Sequence, residues 1–301
     1  MITNYIEKNI IIKSYFNWLR LEKIPEHKLS YLEWGDPNNH KVVFCVHGLS
    51  RNAHDFDKLA YNLSKNFRVI CIDIVGRGNS DWFKNKNHYN YHTYIKDCIY
   101  LLNQINIKKV LWIGTSMGGL LGMAIAALKP SYVKCLILND IGAEIPGSQL
   151  KKINNYINEN PTFRNLKEVK SYFKKKFRNF GIIDEEDWNR LVKFSSIIDE
   201  NSQYCLKYDP KITKKVGMNN IKNDMKFWFL WKKVYCPVLV IHGAISDILT
   251  NNIINKMKLI RNFDLYTICN VGHAPALMNK QEIMTISSWL NQKITTNNTR
   301  L

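Results

Sequence analysis

Acidic side chains are in short supply: 25 Asp and Glu stand against 43 Lys and Arg, a formal net charge of +18 over 301 residues. That excess raises nucleic acid or an anionic membrane surface as a first question. The distribution argues against specific nucleic-acid readout, because the lysines are scattered through loops and helical stretches, many beside Asn and Ile, as a general bias in residue usage would scatter them. The one dense run, Lys174 to Lys176 with Arg178, falls among aromatics at helical spacing and reads as a solvated helix face.

Cysteine pairing is also missing. The seven cysteines (45, 71, 98, 135, 205, 236 and 269) are an odd number without a CxxC pair, and several lie in apolar runs, so buried free thiols in a reducing compartment are expected. No uninterrupted apolar stretch reaches membrane-span length. The longest, Val110 to Leu128, is broken by Gly114, Thr115, Ser116, Gly118, Gly119 and Gly122, which favours a strand, a tight turn and a buried helix over a span. The opening residues lack a basic region followed by an apolar run, so no secretory signal is expected and the cytoplasm is the expected location. There is no internal repeat, no P-loop and no zinc, haem or iron-sulfur spacing; no metal and no cofactor is expected. Asp73 to Ser80 lacks the third glycine of GxGxxG and reads as a turn, not a phosphate cradle.

What the chain does have is enough apolar material, 46% of residues, to bury a large core. After a polar leading segment, apolar strands at 42–46, 68–72, 109–113 and 133–138 alternate with helical patterns at 52–63, 91–105 and 116–128. Such alternation predicts a mostly parallel sheet covered by helices on both faces, an α/β fold. From about Gly147 to Tyr235 the strand signal disappears and helical segments appear near 150–157, 166–177 and 185–194. The pattern resumes with a strand at 237–241, a helix near 251–257, a strand at 264–268 and a helix at 280–290, and the tail from Thr295 to Leu301 is expected to fray. The expected organisation is a core of residues 1–146 and 236–301 with a helical cap inserted at 147–235.

Gly114-Thr115-Ser116-Met117-Gly118 is a GxSxG match between an apolar strand and a glycine-rich apolar helix, the setting that motif requires. The nucleophile sits in a sharp, strained turn, and side chains at the flanking glycines would collide with the neighbouring strand and helix. A serine hydroxyl needs a base within hydrogen-bond reach and an acid to hold that base in the right tautomer. Downstream, Asp247 follows the strand at 237–241 and His273 follows the strand at 264–268, both at the sheet edge expected for Ser116. His273 is therefore the expected base and Asp247 the expected acid, with Asp140, just past the strand at 133–138, as the alternative. His47 and His242 also end strands, but each precedes a glycine and is read as organising a turn. Two backbone amides must meet the oxyanion, and those of Met117 and Leu49 are the candidates.

With these motifs in order, the chain resembles the α/β-hydrolase superfamily, from Tyr31-Leu32-Glu33-Trp34-Gly35 through His47-Gly48, Asp73 to Ser80, Gly114 to Gly119, Asp247 and Gly272-His273. The resemblance is to its capped, esterase-like branch with a serine nucleophile. It implies an acyl-enzyme on Ser116 that water hydrolyses, a small-molecule ester-like substrate, and a cap that selects it, with Trp188, Phe194, Trp228, Phe229 and Trp231 as candidate pocket residues or cap core. Dehalogenase and epoxide-hydrolase relatives carry aspartate at the serine position and are disfavoured. Hydrolysis of a carbon-carbon bond or a lactone by the same triad is the alternative chemistry, although Thr115, Ile248 and Leu249 depart from the carbon-carbon pattern. A noncatalytic small-molecule binder or receptor on the same fold is the alternative of another class. Oligomeric state is not legible.

Overall fold

The computed structural model describes residues 4–212 and 223–295 and organises them around one eight-stranded sheet. Its strands are β1 (Tyr5–Ile12), β2 (His27–Trp34), β3 (Val42–Val46), β4 (Arg68–Ile72), β5 (Val110–Thr115), β6 (Val133–Asn139), β7 (Val238–Gly243) and β8 (Asp264–Ile268). Across the sheet they run in the order β1-β2-β4-β3-β5-β6-β7-β8. β4, β3, β5, β6, β7 and β8 are mutually parallel, whereas β2 runs antiparallel to β4 and β1 antiparallel to β2.

The period of two along each central strand sorts side chains onto two faces. Phe44, Ile70, Trp112, Leu136 and Val240 join one core cluster, while Val43, Cys45, Val69, Leu111 and Ile241 join a second on the opposite face. The first face is covered by α2 (Tyr91–Gln104), α3 (Met117–Leu128) and α8 (Asn251–Ile260), the second by α1 (Asp57–Leu63) and α9 (Lys280–Thr295). Each large apolar side chain buried this way is worth about 1.5–3 kcal/mol of transfer free energy, which is why the central strands need no alternation of polar and apolar residues. Residues 296–301, most of the tail expected to fray, lie outside the described residues.

β1 and β2 occupy what the sequence presents as a polar leading segment. β2 buries His27, Ser30 and Glu33, each with a specific partner. His27 meets Asp97, Ser30 N–H donates to Ser80 Oγ, and Glu33 pairs with Arg68 and Lys8. Buried polar groups that are paired in this way can sit in a strand interior, and hydropathy alone conceals them.

Between β6 and β7 the chain leaves the sheet to form α4 (Gly147–Ile157), α5 (Leu166–Lys176), α6 (Glu185–Ser195) and the short α7 (Trp228–Trp231). This insertion is not strand-free, as its composition implies. Thr162–Phe163, Tyr204–Leu206 and Ser196–Ile198 form a small antiparallel sheet, and Met225–Lys226 pairs with Glu144–Ile145 where the insertion leaves and rejoins the core. These strands are two or three residues long, too short for a periodic signal.

Candidate active site

Parallel strands deliver their following loops to one edge of the sheet, and the ends of β3, β5, β6, β7 and β8 meet there. Ser116 stands between β5 and α3 at φ 50°, ψ −111°, outside the regions open to ordinary residues. Its N–H donates to Asn139 O at 3.0 Å. The turn is possible because two positions lack a Cβ: one placed on Gly118 would lie 2.0 Å from Val46 O, and one on Gly114 would lie 2.3 Å from the backbone of Gly118. β3, β5 and α3 therefore approach so closely that the hydroxyl is forced out over the strand ends.

His273, in the loop after β8, lies with Nε2 3.0 Å from Ser116 Oγ and Nδ1 2.8 Å from Asp140 Oδ2. A carboxylate only accepts, so Nδ1 carries the proton and Nε2 presents its lone pair to the serine hydroxyl. Asp140 is fully buried at the end of β6, and its carboxylate gathers two further donors, Gly243 N–H at 2.8 Å and the Ser246 hydroxyl at 2.5 Å. Asn139 fastens the three loops together, donating from Nδ2 to Thr115 Oγ1 and to Pro275 O.

Asp247, expected beside His273, is not there. Its side chain is 53% exposed and pairs with Lys152 Nζ of α4 at 3.0 Å. The physical reason lies in the turn after β7. Ser246, Gly243 and the β7 backbone close around Asp140, whose own N–H donates to Ile241 O, and Asp247 falls beyond that closed turn on the outer rim. Asp140, the alternative, is the carboxylate in contact with His273.

The loop after β3 is set by two buried side chains. His47 donates from Nδ1 to Gly48 O and accepts at Nε2 from Ile74 N–H. Burial pushes its imidazole down to about 3, and the Arg77 and Arg51 cations push the same way. Arg77, read from sequence only as part of a turn, is fully buried and donates to Leu49 O, Val75 O and the Tyr94 hydroxyl, while Nη2 lies 3.9 Å from Met117 Sδ. It thus touches both residues whose amides are oxyanion candidates. Met117 is the first residue of α3, where an N–H has no partner within the helix, and Leu49 lines the cavity above Ser116.

That cavity, about 320 Å³, has Ser116 and His273 in its wall. Tyr156, Phe177, Phe180, Leu191 and Met278 make much of its apolar surface. The expected wall residues are absent from it. Trp188 is buried beside Lys174, Phe194 stacks on His54 at 3.6 Å, Trp228 donates to Glu144, and Trp231 is fully buried with its Nε1 on Met257 O. Phe229 is 61% exposed. Helical spacing marked these rings as packed without saying against what, and they pack within the insertion or onto the core.

All seven cysteines are free, four of them buried. Among the described residues no helix is long and apolar enough to cross a membrane, and no group of three or more His, Cys, Asp and Glu is arranged to hold a metal ion.

A family model described as alpha/beta hydrolase fold matches residues 41–277. A 3-hydroxybutyrate-oligomer hydrolase of Cupriavidus necator is 33% identical over 267 residues, 85% of this chain and 90% of that protein. A solved structure from Rickettsia typhi superposes with a TM-score of 0.91 at 47% identity, covering 95% of this chain and 99% of that one. An alpha/beta hydrolase from Novosphingobium aromaticivorans superposes with a TM-score of 0.81 at 28% identity, covering 96% and 98%.

Proposed function

From the premise that this chain belongs to the α/β-hydrolase family, we propose that it is a serine esterase that cleaves small carboxylic esters through an acyl-enzyme on Ser116. The observation that carries the reading is the continuous hydrogen-bonded chain from Asp140 through His273 to Ser116, with the serine facing an apolar cavity. His273 takes the Ser116 proton as Oγ attacks the ester carbonyl, and Asp140 holds the tautomer and stabilises the imidazolium. The amides of Met117 and Leu49 meet the oxyanion, and Arg77 keeps the two residues in place. His273 then returns the proton to the departing alcohol, and water, activated by the same base, releases the acid.

The insertion at 147–235 acts as the cap, since Tyr156 of α4, Phe177 just past α5 and Leu191 of α6 line the cavity. Esters of short hydroxy acids, the type of substrate named for the Cupriavidus necator relative, are the first to try. The free cysteines support a reducing compartment such as the cytoplasm.

A series of p-nitrophenyl esters of rising acyl length, with the 3-hydroxybutyrate dimer beside it, tests the reading. Turnover that Ser116→Ala abolishes supports it. Turnover that survives the change rejects the serine mechanism. Stoichiometric substrate binding without turnover would make the fold a receptor, and activity confined to lactones or carbon-carbon bonds would move the same triad to another substrate.

A further inference from the structure

A second cleft, about 490 Å³, also has His273 in its wall. It shares His273, Asp247, Lys176 and Phe180 with the apolar cavity and adds Lys175, Arg178 and Ile245. The basic run at the end of α5 therefore borders the active site. Its four cations have separate fates. Lys174 pairs with Glu185 and Lys176 with Glu159, whereas Lys175 and Arg178 have no ion pair among the described residues, and these two line the cleft. Asp247, its one acidic wall residue, is occupied by Lys152.

The position of these cations relative to His273 is fixed by the backbone. Gly272 N–H donates to Asn179 O at 2.7 Å and Ala276 N–H donates to Phe180 O at 2.8 Å, so the strand of chain following Arg178 is tied on both sides of the histidine. Chemistry gives that side of the site its meaning. When the tetrahedral intermediate collapses, the bond from carbon to the alcohol oxygen breaks and the proton on His273 Nε2 passes to that oxygen. The alcohol half of the ester must therefore lie at His273, and whatever it carries extends from there.

We propose that the cleft is a leaving-group subsite in which Lys175 and Arg178 receive a carboxylate, so that the preferred esters are those whose alcohol half ends in a carboxylate, with the acyl half in the apolar cavity. This rests on the esterase reading given above. An ester of two hydroxy acids meets this requirement by its own chemistry, since its alcohol half always carries the free carboxylate.

The test compares the 3-hydroxybutyrate dimer with its methyl ester, following cleavage of the inner ester by mass, in wild type, Lys175→Gln/Arg178→Gln and the charge-keeping Lys175→Arg/Arg178→Lys. Two exposed ion pairs are worth about five- to tenfold in kcat/KM. Wild type should favour the free acid by that factor, mainly through KM, with the preference shrinking as salt rises. The neutral variant should bring the ratio to about one, and the charge-keeping variant should restore it. An acid-to-ester ratio that is the same in wild type and the neutral variant overturns the proposal.

Failure of the esterase reading would look different, as no cleavage of either compound. The cleft is then judged by titrating 3-hydroxybutyrate into the Ser116→Ala protein and following amide shifts at Asn179 and Gly272. Shifts that weaken five- to tenfold in affinity with the neutral cleft variant support the subsite, and shifts absent or indifferent to it reject it.

Discussion

Replacing Asp140 by Asn removes one charge and leaves the shape of the site intact. The Asn Oδ1 can still accept from Gly243 N–H, but the amide nitrogen now occupies the place of Oδ2, which faces the Ser246 hydroxyl at 2.5 Å and His273 Nδ1 at 2.8 Å. The hydroxyl can rotate to accept. The imidazole can accept only by losing the proton at Nδ1, and its remaining proton then sits on Nε2, aimed at Ser116 Oγ 3.0 Å away. A base in that tautomer has no lone pair for the serine. The same change in the serine-protease template lowers kcat by about 10⁴, which corresponds to about 5.5 kcal/mol of barrier. Asp140→Asn should therefore show kcat on a p-nitrophenyl ester reduced by about 10⁴, with a stability loss of about 1–3 kcal/mol in urea unfolding from the weakened buried hydrogen bonds. Asp247→Asn loses only an exposed pair with Lys152 and should stay within twofold of wild type. Retention of more than a tenth of the activity by Asp140→Asn, or an equal fall in Asp247→Asn, would refute the assignment.

Three more expectations concern the support of the site. Arg77→Met frees Leu49 O and removes the buried cation that bridges to Met117, so kcat should fall by about 10²-fold with a much smaller change in KM; a change confined to KM would count against a role at the oxyanion donors. Gly118→Ala sets a methyl 2.0 Å from Val46 O, and a loss of about 3 kcal/mol in urea unfolding with collapse of kcat is expected, whereas a fully active, equally stable variant would show that β3 and α3 are not held so close. His47 stays neutral when folded because its value is held near 3, while the unfolded chain takes up a proton below about 6.5. Stability from this group is thus complete above 6.5 and is lost as the pH falls toward 3, by up to about 1.4 kcal/mol per pH unit. Burial holds Asp73 up at about 6, which acts in the opposite direction between its ordinary value and 6, but it does so in both proteins and cancels in a comparison. His47→Asn should accordingly lose less stability than wild type between pH 6.5 and 4.5, and parallel curves would contradict the buried neutral imidazole.

The parts of this molecule written in local pattern were legible in the sequence. Strands β3 to β7 are near-continuous apolar runs because both faces are covered, and the GxSxG turn announces itself by the glycines its packing demands. Asp140 and Asp247 could not be ranked in that way. Both follow a strand that ends at the active edge, and the difference is whether the turn after β7 folds over the carboxylate or leaves it outside, which depends on Ser246 and Gly243 meeting a partner more than a hundred residues away. Arg77 was hidden for a related reason: a buried guanidinium paired with carbonyls and a phenol leaves no local signature. The cavity wall drew on Tyr156, Phe177 and Phe180 rather than the tryptophans, because ring spacing along a helix identifies its packed face and says nothing about what that face meets. The cations at 174–178 resemble a solvated helix face in sequence, and the hydrogen bonds that Asn179 O and Phe180 O accept from the His273 loop bring them beside that histidine.

The central claim, a nucleophilic Ser116 activated by His273, is tested most directly by intact-protein mass after exposure to a p-nitrophenyl phosphonate. One adduct per chain, mapped to the peptide containing Ser116, should form in step with loss of esterase activity, slow by orders of magnitude in Asp140→Asn, and be absent from Ser116→Ala. An adduct on another residue, or esterase activity that persists once Ser116 is fully modified, would contradict the account.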